Sequence, residues 1–371
     1  MYAKTMRSPK VIDLFCGAGG FSLGAYNAGL KVIASVDIDD KLTSSYKSNF
    51  PHGKLLLADI STLRINSLLK AADAGAADVD GIIGGPPCQG FSTIGKRNAA
   101  DPRNGLLRHF FRIVAEVRPK FFLMENVPGL IAGVAKGIFD KAVSDLDGYT
   151  LIGPVCLDAH DLGAPTHRKR IVVLGYDPNR VEPITEAEIK SLSCSEKLTV
   201  RDAIADLPEP SSHSAGPYRN LKTVSKYAMR ARSAPGRGLG SAASRQRIVT
   251  GQVSGIQITQ HAPKVIERFR RVPQGKTDDV SRCVRLKWDS AAPTLRAGTG
   301  PDKGSFQSVR PLHPVRPRVI TIREAARLQG FPDWFDFHET KWHSFRMIGN
   351  SVSPIMAEAL LRLIAKKIKK I

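Results

Sequence analysis

One cysteine of the chain stands in a setting typical of a catalytic nucleophile. Residues 84–92 read Gly84-Gly85-Pro86-Pro87-Cys88-Gln89-Gly90-Phe91-Ser92. The two prolines stiffen the backbone before the thiol, and the flanking glycines favour a loop that exposes it. An exposed thiol can attack an electrophilic carbon once it is ionised. We therefore predict that Cys88 is a nucleophile; the alternative is a buried cysteine that only packs.

A glycine-rich turn near the amino end is typical of a nucleotide site. Residues 10–15 predict a short strand, and three glycines follow it: Gly17, Gly19 and Gly20. The dinucleotide fingerprint G-x-G-x-x-G fails, because position 22 is Ser22. The turn still allows a ligand to approach the backbone, and Asp37, after the second predicted strand, can bind ribose hydroxyls. Together with Asp59 and Ile60 after the third strand, the pattern suggests S-adenosylmethionine.

These residues require a sheet that brings the ends of several strands together. Short apolar runs alternate with helical patterns and predict strands at 10–15, 31–36, 55–58, 81–83, 121–124 and 170–176. Strands joined by helices form a mostly parallel sheet that binds ligands at its carboxyl edge. We therefore predict an α/β fold with a doubly wound, mostly parallel sheet.

The positive charge of the chain is concentrated in its second part. Of the net charge of +21, residues 1–160 carry +3, with 18 basic and 15 acidic residues. Residues 161–371 carry +18, with 37 basic and 19 acidic residues. Residues 210–266 contain nine Lys or Arg and no Asp or Glu. This segment favours a polyanionic partner over a solvated surface, and the absence of an amphipathic helical pattern argues against a membrane.

Cysteine spacing and hydropathy argue against several other classes. The five cysteines are an odd number without a C-x-x-C pair, so we expect neither a disulfide framework nor a metal site. No apolar run reaches the roughly 18 residues of a membrane span, and no signal-length apolar stretch follows the amino terminus. We expect a soluble, cytoplasmic protein.

Six motifs, in this order along the chain, resemble those of the cytosine-C5 methyltransferases that act on DNA. They are Asp13-Leu14-Phe15 with the three glycines, Pro86-Pro87-Cys88-Gln89, Glu125-Asn126-Val127, Arg168-Lys169-Arg170, Arg323-Glu324-Ala325-Ala326-Arg327-Leu328-Gln329-Gly330-Phe331-Pro332, and Gly349-Asn350-Ser351-Val352. The matches span residues 11–354, nearly the whole chain. The resemblance implies the S-adenosylmethionine-dependent methyltransferase fold and a DNA (cytosine-5)-methyltransferase of the bacterial restriction-modification type.

By matching position, the resemblance also implies which residues contact S-adenosylmethionine. These are Phe15, Gly17, Gly20, Asp37, Ile38, Asp59, Ile60, Pro87, Asn350 and Val352. One position departs from the family pattern, because Thr166 stands where glutamine is usual before the arginine pair. The role of that side chain is therefore left open.

The required chemistry follows from the weakness of cytosine C5 as a nucleophile. A thiolate that adds to C6 turns C5 into an enamine-like carbon, and Cys88 is placed for this addition. Glu125, after the fifth predicted strand, can supply a proton or hydrogen bond at N3; the alternative is a carboxylate that caps a helix. The resemblance assigns Arg170 to the base oxygen O2 and Arg168 to support of the site, unless either contacts a phosphate.

A cytosine in a duplex must leave the base stack to reach such a site. Residues 90–104 have the polar, basic, glycine-bearing composition of a loop that closes over DNA, although an ordinary surface loop would look similar. The predicted DNA contacts are Gln89, Ser92, Lys96, Arg97 and Thr294.

The alternation of strands and helices is lost between residues 178 and 300, and the resemblance makes this segment the target-recognition region. We predict a catalytic and cofactor-binding domain at 1–177, a smaller target-recognition domain at 178–300, and a return segment at 301–371 that completes the catalytic domain. The expected partners are double-stranded DNA and a cognate restriction endonuclease; the protein would be a nucleoid-associated monomer. Two alternatives stay open: a tRNA cytosine-C5 methyltransferase, and a catalytically silent DNA-binding protein of the same fold.

Overall fold

A seven-stranded sheet forms the centre of the molecule. The computed structural model describes residues 7–87, 105–144, 146–297 and 310–369. The strands of this sheet are β1 (Lys10–Leu14), β2 (Lys31–Asp37), β3 (Leu55–Leu57), β4 (Gly81–Gly84), β5 (Phe121–Asn126), β6 (Thr150–Asp158) and β7 (Lys169–Tyr176). A second, antiparallel sheet pairs β8 (Ala215–Pro217) with β9 (Gln252–Ser254).

The large sheet is mostly parallel, with one strand reversed. Its spatial order is β3-β2-β1-β4-β5-β7-β6. The strands from β3 to β5 are parallel, whereas β7 is antiparallel to both of its neighbours. Because of this reversal, the start of β7 lies beside the carboxyl end of β5, where Glu125 is opposite Val172 and Asn126 is opposite Ile171.

Thirteen α-helices lie in the described parts of the chain. They are α1 (Gly20–Asn27), α2 (Tyr46–Asn49), α3 (Ile65–Ala72), α4 (Gly105–Val117), α5 (Val134–Val143), α6 (Glu186–Lys190), α7 (Val200–Ile204), α8 (Lys226–Ala231), α9 (Ala242–Val249), α10 (Pro263–Arg270), α11 (Ile322–Gln329), α12 (Lys341–Asn350) and α13 (Pro354–Lys367). Short 3-10 helices occur at Ala76–Asp78 and Pro128–Ile131.

The two faces of the sheet carry separate hydrophobic cores, because successive side chains of a strand point to opposite faces. In β5, Phe122 and Met124 join one core, which includes Phe110 of α4. Phe121 and Leu123 join the other, which is covered by α13. Apolar side chains of α4 recur every three or four residues and are buried, which explains why this segment forms a helix on the sheet.

A third core joins segments that are far apart in the sequence. It contains Leu23 of α1, Phe50 after α2, Val200 of α7, Leu295, and Leu328 of α11. The segment from 200 to 295 therefore packs on the same core as the amino-terminal and carboxyl-terminal parts. The division of the chain into domains at 178 and 300 stays a prediction.

Buried ion pairs fasten α11 within this region. Arg327, which is 0% exposed, lies 2.9 Å from Asp206 and 2.6 Å from Asp333. Each charge is compensated, so this motif of the sequence has a structural role. Thr321 and Glu324 form a capping box at the start of the helix, and Gly330 ends it with a φ of 99°.

The acid-free segment 210–266 finds part of its counter-charge elsewhere in the chain. Three of its arginines form ion pairs outside the segment: Arg230 with Glu358, Arg232 with Asp206, and Arg247 with Asp336. Arg219 and Arg245 donate to backbone carbonyls instead. Much of this basic charge is therefore structural, and Lys222, Lys226, Arg237 and Lys264 remain without an ion pair to any described residue.

The predicted doubly wound, mostly parallel sheet is confirmed, and all six predicted strands are present. Two features differ from the sequence prediction. Strand β6 was missed because Gly153 and Pro154 interrupt its apolar pattern. The predicted strand 121–124 extends to Asn126, so Glu125 lies within the strand rather than after it.

Candidate active site

The turn between β1 and α1 leaves open space beside its backbone. Phe15 and Gly17 have positive φ angles of 60° and 50°, a conformation that is uncommon for phenylalanine. A Cβ atom at Gly17 would meet no atom within 4 Å. The Gly17 N–H donates to Asp37 Oδ2 at 2.8 Å, which holds the turn against the end of β2. The turn is thus fixed in place while a ligand can still approach it.

Asp37 organises the end of β2. Its Oδ1 accepts the Asp39 N–H at 2.9 Å. Burial raises the pKa of Asp37, although the backbone hydrogen bonds oppose this rise. Each carboxylate oxygen retains a lone pair that could accept a ribose hydroxyl. The next side chain, Ile38, is 68% exposed, which provides apolar surface beside the carboxylate.

Of the two predicted cofactor contacts after β3, Asp59 and Ile60, only Asp59 has an exposed side chain. Asp59 is exposed, and its Oδ1 accepts the Ser61 N–H at 2.8 Å, which lowers the pKa of this carboxyl group. The Ile60 side chain, in contrast, is buried in the core that includes α4. Its carbonyl accepts a hydrogen bond from Arg112 at 2.9 Å. Ile60 can therefore contact a ligand only through its backbone.

The return segment packs directly on α1. A Cβ atom at Gly20 would come within 2.1 Å of Ser351 Oγ and 2.3 Å of the Val352 carbonyl oxygen. Glycine is thus needed at position 20 for contact between two distant segments, a reason that the sequence did not reveal. Asn350, the last residue of α12, is exposed at this junction.

Val352 also approaches the loop that leads to Cys88. A Cβ atom built on Gly85 would lie 3.7 Å from Val352 Cγ2 and 3.6 Å from Glu125 Oε2. Residues predicted to bind the cofactor and residues predicted to bind the base therefore meet around this glycine.

Glu125 and Arg170 form an ion pair at the carboxyl end of β5. Arg170 Nε lies 2.9 Å from Glu125 Oε1, and both side chains are about one-tenth exposed. This contact lacks the alignment of a hydrogen bond, and no described residue donates one to that buried oxygen. A buried acceptor without a donor is available to a ligand. The structure thus brings together two residues predicted to hold the target base.

Arg168 is buried and holds three carbonyl groups. Its guanidinium donates to Leu295 O at 3.3 Å, Gly349 O at 3.1 Å and Ser351 O at 2.8 Å. Burial and the nearby charge of Arg170 lower the pKa of Arg168 to about 9, so it stays positive at neutral pH. These contacts position the return segment. The prediction that Arg168 supports the site is consistent with these contacts, and it stays a prediction.

Asn126 positions the loop before Cys88, a role that sequence reasoning missed. Its Nδ2 donates to the Pro86 carbonyl at 3.0 Å, and its Oδ1 accepts the Val127 N–H at 2.8 Å. The sequence motif Glu125-Asn126-Val127 predicts a role for its glutamate alone. The signal available in the sequence was an amide side chain directly after a candidate catalytic acid.

Thr166 and Thr294 connect the start of β7 to residues 292–294. The Thr166 hydroxyl, fully buried, lies 3.2 Å from the carbonyls of Ala292 and Pro293. The Thr294 hydroxyl donates to the His167 carbonyl at 2.6 Å. Thr166 therefore has a structural partner where the family usually has glutamine. The hydroxyl proton of Thr294 is engaged within the protein, and its contact with DNA stays a prediction.

Five predicted site residues lie outside the described parts of the chain: Cys88, Gln89, Ser92, Lys96 and Arg97. Pro87 is the last described residue before them, and the Asn126 contact to Pro86 is the nearest described constraint on this loop.

A buried polar cluster lies under the glycine turn. Ser22 donates to Asp13 Oδ2 at 2.6 Å, and the Tyr46 hydroxyl lies 2.8 Å from Ser22 Oγ and 2.5 Å from Ser35 Oγ. Asp13 Oδ1 is buried and has no hydrogen-bond partner among the described residues. Burial raises the pKa of Asp13 to about 7. Ser22, which stands where the dinucleotide fingerprint requires glycine, therefore has a structural role in this cluster.

Helix α12 is tied to the cofactor side of the sheet. Arg346 lies 3.3 Å from Asp39 Oδ2, and its guanidinium stacks on the Trp342 ring at 4.8 Å. Asp39 donates its N–H to Asp37, so the contact links α12 to the predicted ribose-binding carboxylate. Neither Arg346 nor Asp39 was predicted from the sequence, because the two residues are far apart in it.

The described residues contain no cluster of three or more His, Cys, Asp or Glu side chains suited to a metal ion. Among the helices that the structure describes, none has both the length and the apolar content that a membrane span requires.

Solved structures share this fold over nearly the whole chain. A DNA modification methyltransferase encoded within a prophage (E. coli) superimposes with a TM-score of 0.83 at 40% identity, covering 96% of this chain and 98% of that one. The S. pombe Dnmt2 methyltransferase is similar in fold, with a TM-score of 0.61 at 19% identity, covering 97% of this chain and 99% of that one. The fold and the residues at the carboxyl edge define a methyltransferase of the doubly wound α/β class.

Sequence comparisons identify the family within this class. The model of the C-5 cytosine-specific DNA methylase family matches residues 9–369. Type II methyltransferase M.XorII of Xanthomonas oryzae pv. oryzae is 38% identical over 376 aligned residues, covering 98% of this chain and 86% of that protein. Type II methyltransferase M.DdeI of Desulfomicrobium norvegicum is 33% identical, covering 96% and 88%. The chain belongs to the C-5 cytosine-specific DNA methylase family and is a DNA (cytosine-5)-methyltransferase.

Proposed function

We propose that the protein transfers the methyl group of S-adenosylmethionine to C5 of a flipped-out cytosine in a specific double-stranded DNA sequence. The reaction passes through a covalent bond between Cys88 and C6. The observation that carries this proposal is the buried Glu125–Arg170 pair, which lies beside the loop that leads to Cys88.

The end of β2 and the glycine turn fit S-adenosylmethionine. Open space at Gly17, the lone pairs of Asp37 and the exposed apolar surface of Ile38 suit backbone, ribose and adenine contacts respectively. Phe15, Gly20, Asp59, Ile60, Pro87, Asn350 and Val352 complete the proposed set. When bound, S-adenosylmethionine supplies an electrophilic methyl group. The protein's task is to hold this group beside the reacting carbon and exclude water.

Glu125 and Arg170 would recognise and polarise the cytosine ring. In the free protein, the Arg170 guanidinium forms an ion pair with the Glu125 carboxylate. A base that enters beside them offers N3 to Glu125, which can hold a proton there, and O2 to Arg170, which can stabilise developing negative charge. Arg168 would act indirectly, because its guanidinium holds carbonyls of the return segment.

Cys88 would provide the nucleophile. Its thiolate adds to C6, and the displaced electron pair moves through the ring so that C5 becomes nucleophilic. C5 then takes the methyl group. Loss of the C5 proton to a base restores the double bond and expels the thiolate, so the enzyme is regenerated.

The substrate would be duplex DNA with one base extruded, because the ring atoms are inaccessible within the stack. Residues 90–104 would close over the DNA, with contacts from Gln89, Ser92, Lys96 and Arg97, and Thr294 would contribute from the recognition side. Residues 178–300 would read the target sequence, between a catalytic domain at 1–177 and its return segment at 301–371. The relatives named as Type II methyltransferases support a role beside a cognate restriction endonuclease. The protein would act as a nucleoid-associated, cytoplasmic monomer.

The proposal is tested by following labelled methyl groups from S-adenosylmethionine into duplex DNA and tRNA, with wild type and Cys88→Ala. We expect label in DNA alone, dependent on Cys88 and mapped by bisulfite sequencing to cytosines in one short context. Label in tRNA alone would favour the tRNA enzyme. Tight DNA binding without any label would favour the silent binder.

A further inference from the structure

A polar groove lies at the amino end of α12, at the opposite end of that helix from the cofactor residues. It is lined by Ser211, Ser212, Gln257, Ile258, Gln260 and Lys341. Its two sides are joined by a hydrogen bond from the Ile258 N–H to the Ser211 carbonyl at 3.0 Å. Hydroxyl, amide and ammonium groups line it, and no lining residue is acidic. The groove therefore offers hydrogen-bond donors to an anion.

One cation, Lys341, lines this groove, and a second, Arg310, lies close to Lys341 without being part of the lining. Lys341 donates to the Ile258 carbonyl, and Arg310 stacks on the Phe345 ring at 4.4 Å, one helical turn further along α12. Burial and the charge of Arg310 lower the pKa of Lys341. Neither cation forms an ion pair with a described residue. Arg310 Nε is buried and lacks a hydrogen-bond partner in the same part of the structure.

The helix itself adds positive potential. Helix α12 spans ten residues, its first turn contains no acidic residue, and no side chain caps its first N–H groups. The amino end of a helix carries partial positive charge and free N–H donors. Glu339 lies two residues before Lys341 in the sequence, and the described structure shows no ion pair between the two side chains. Lys341 and the helix terminus therefore meet at the groove, with the charge of Arg310 nearby.

We propose that this groove binds a phosphate oxyanion of the DNA backbone, through Lys341 and Arg310. The inference rests on the proposed function, since it assumes a DNA substrate. Lys341 and Asn350 are the two ends of α12, which at about 1.5 Å per residue places the groove about 14 Å from the cofactor junction. That distance corresponds to roughly four nucleotides along one strand at about 3.4 Å each. A lysine meets a phosphate as a point charge and carries no sequence information, so the contact would position DNA without selecting bases.

The test measures DNA affinity against salt for wild type and Lys341→Gln. Dissociation constants are measured by fluorescence anisotropy on a methylatable duplex and an unrelated duplex, from about 50 to about 200 mM salt. Loss of one phosphate contact should reduce the slope of log affinity against log salt by about 0.9. The ratio of wild-type affinity to Lys341→Gln affinity should therefore fall by about threefold between the low and the high salt concentration, equally on both duplexes. In a double variant, adding Arg310→Gln to Lys341→Gln should reduce the slope by a similar further amount.

Two control variants and two control measurements separate this site from general effects. Lys341→Arg keeps the charge and should retain the wild-type slope. Lys70→Gln removes an exposed charge at the carboxyl end of α3, at the amino edge of the sheet, and should also leave the slope unchanged. Thermal unfolding checks that each variant folds, and affinity for S-adenosylmethionine should not change.

An unchanged slope in both Lys341→Gln and the double variant would overturn the proposal. A second result would also overturn the proposal: inorganic phosphate competes with DNA more strongly than chloride of equal ionic strength, and Lys341→Gln abolishes this competition without changing the salt slope. The groove would then bind a free anion rather than the DNA backbone. Failure of the proposed function would look different, because wild type itself would transfer no methyl group to DNA.

Discussion

Arg170 lies 2.9 Å from Glu125 because β7 runs antiparallel to β5. The start of one strand thereby meets the end of the other, and two motifs that are distant in sequence form one buried pair. Hydrogen bonds from Arg168 and Asn126 hold the segments on either side. The proposed base-binding site is thus a product of strand direction.

Glu125→Gln should slow methyl transfer by about 100-fold or more, because the amide cannot hold a proton at N3. Single-turnover transfer to a duplex containing the target site is the measurement. Affinity for S-adenosylmethionine should stay at the wild-type value. Glu116→Gln, which changes an exposed glutamate paired with Arg112 on α4, is the matched control. Equal rates for Glu125→Gln and wild type would remove Glu125 from the mechanism.

Asp37→Asn should weaken binding of S-adenosylmethionine by roughly tenfold or more, since a hydrogen bond to a charged group contributes about 1.5–3 kcal/mol. Calorimetric titration of the variant with S-adenosylmethionine measures this directly. Asp40→Asn, three residues further and exposed, should bind as wild type does. Unchanged affinity in Asp37→Asn would mean that the ribose lies elsewhere.

Arg346 should act on the same ligand through Asp39, as a positioning residue. Arg346→Gln and Asp39→Asn should each weaken S-adenosylmethionine binding by about threefold, a modest effect because the pair is partly solvated. If the two side chains act through their contact, the double variant should be no worse than either single variant. Losses that multiply would show that the two residues act independently. The rate at saturating S-adenosylmethionine should change little.

Asp13 should make stability depend on pH. Its pKa is about 7 in the folded protein and near 3.8 when exposed, so the unfolded state releases this proton first as pH rises. The free energy of unfolding should therefore fall between about pH 4 and pH 7, by at most about 4 kcal/mol from this group. Asp13→Asn should lack this contribution. The difference in free energy of unfolding between wild type and Asp13→Asn, measured by urea unfolding, should therefore change with pH up to about pH 7 and then stay constant. A constant difference across this range would contradict the assignment.

The sequence predicted the sheet and most of the candidate site because both depend on local signals. Apolar runs gave the strands, and short motifs marked Asp37, Glu125 and Arg170. The reversal of β7, the contact of Gly20 with Ser351 and the pairing of Arg346 with Asp39 depend on how distant segments pack, so no local pattern contained them. The basic composition of segment 210–266 predicts a surface for a polyanion, whereas three of its arginines form ion pairs with acids that lie outside the segment.

A fluorinated substrate would trap the proposed covalent bond between Cys88 and cytosine C6. Duplex DNA with 5-fluorocytosine at the target position is incubated with S-adenosylmethionine and the protein, denatured, digested and examined by mass spectrometry. Fluorine leaves no C5 proton to remove, so we expect a methylated base bound to the peptide that contains Cys88, and no adduct with Cys88→Ala. Methylation of ordinary cytosine without any adduct to the fluorinated base would contradict the mechanism.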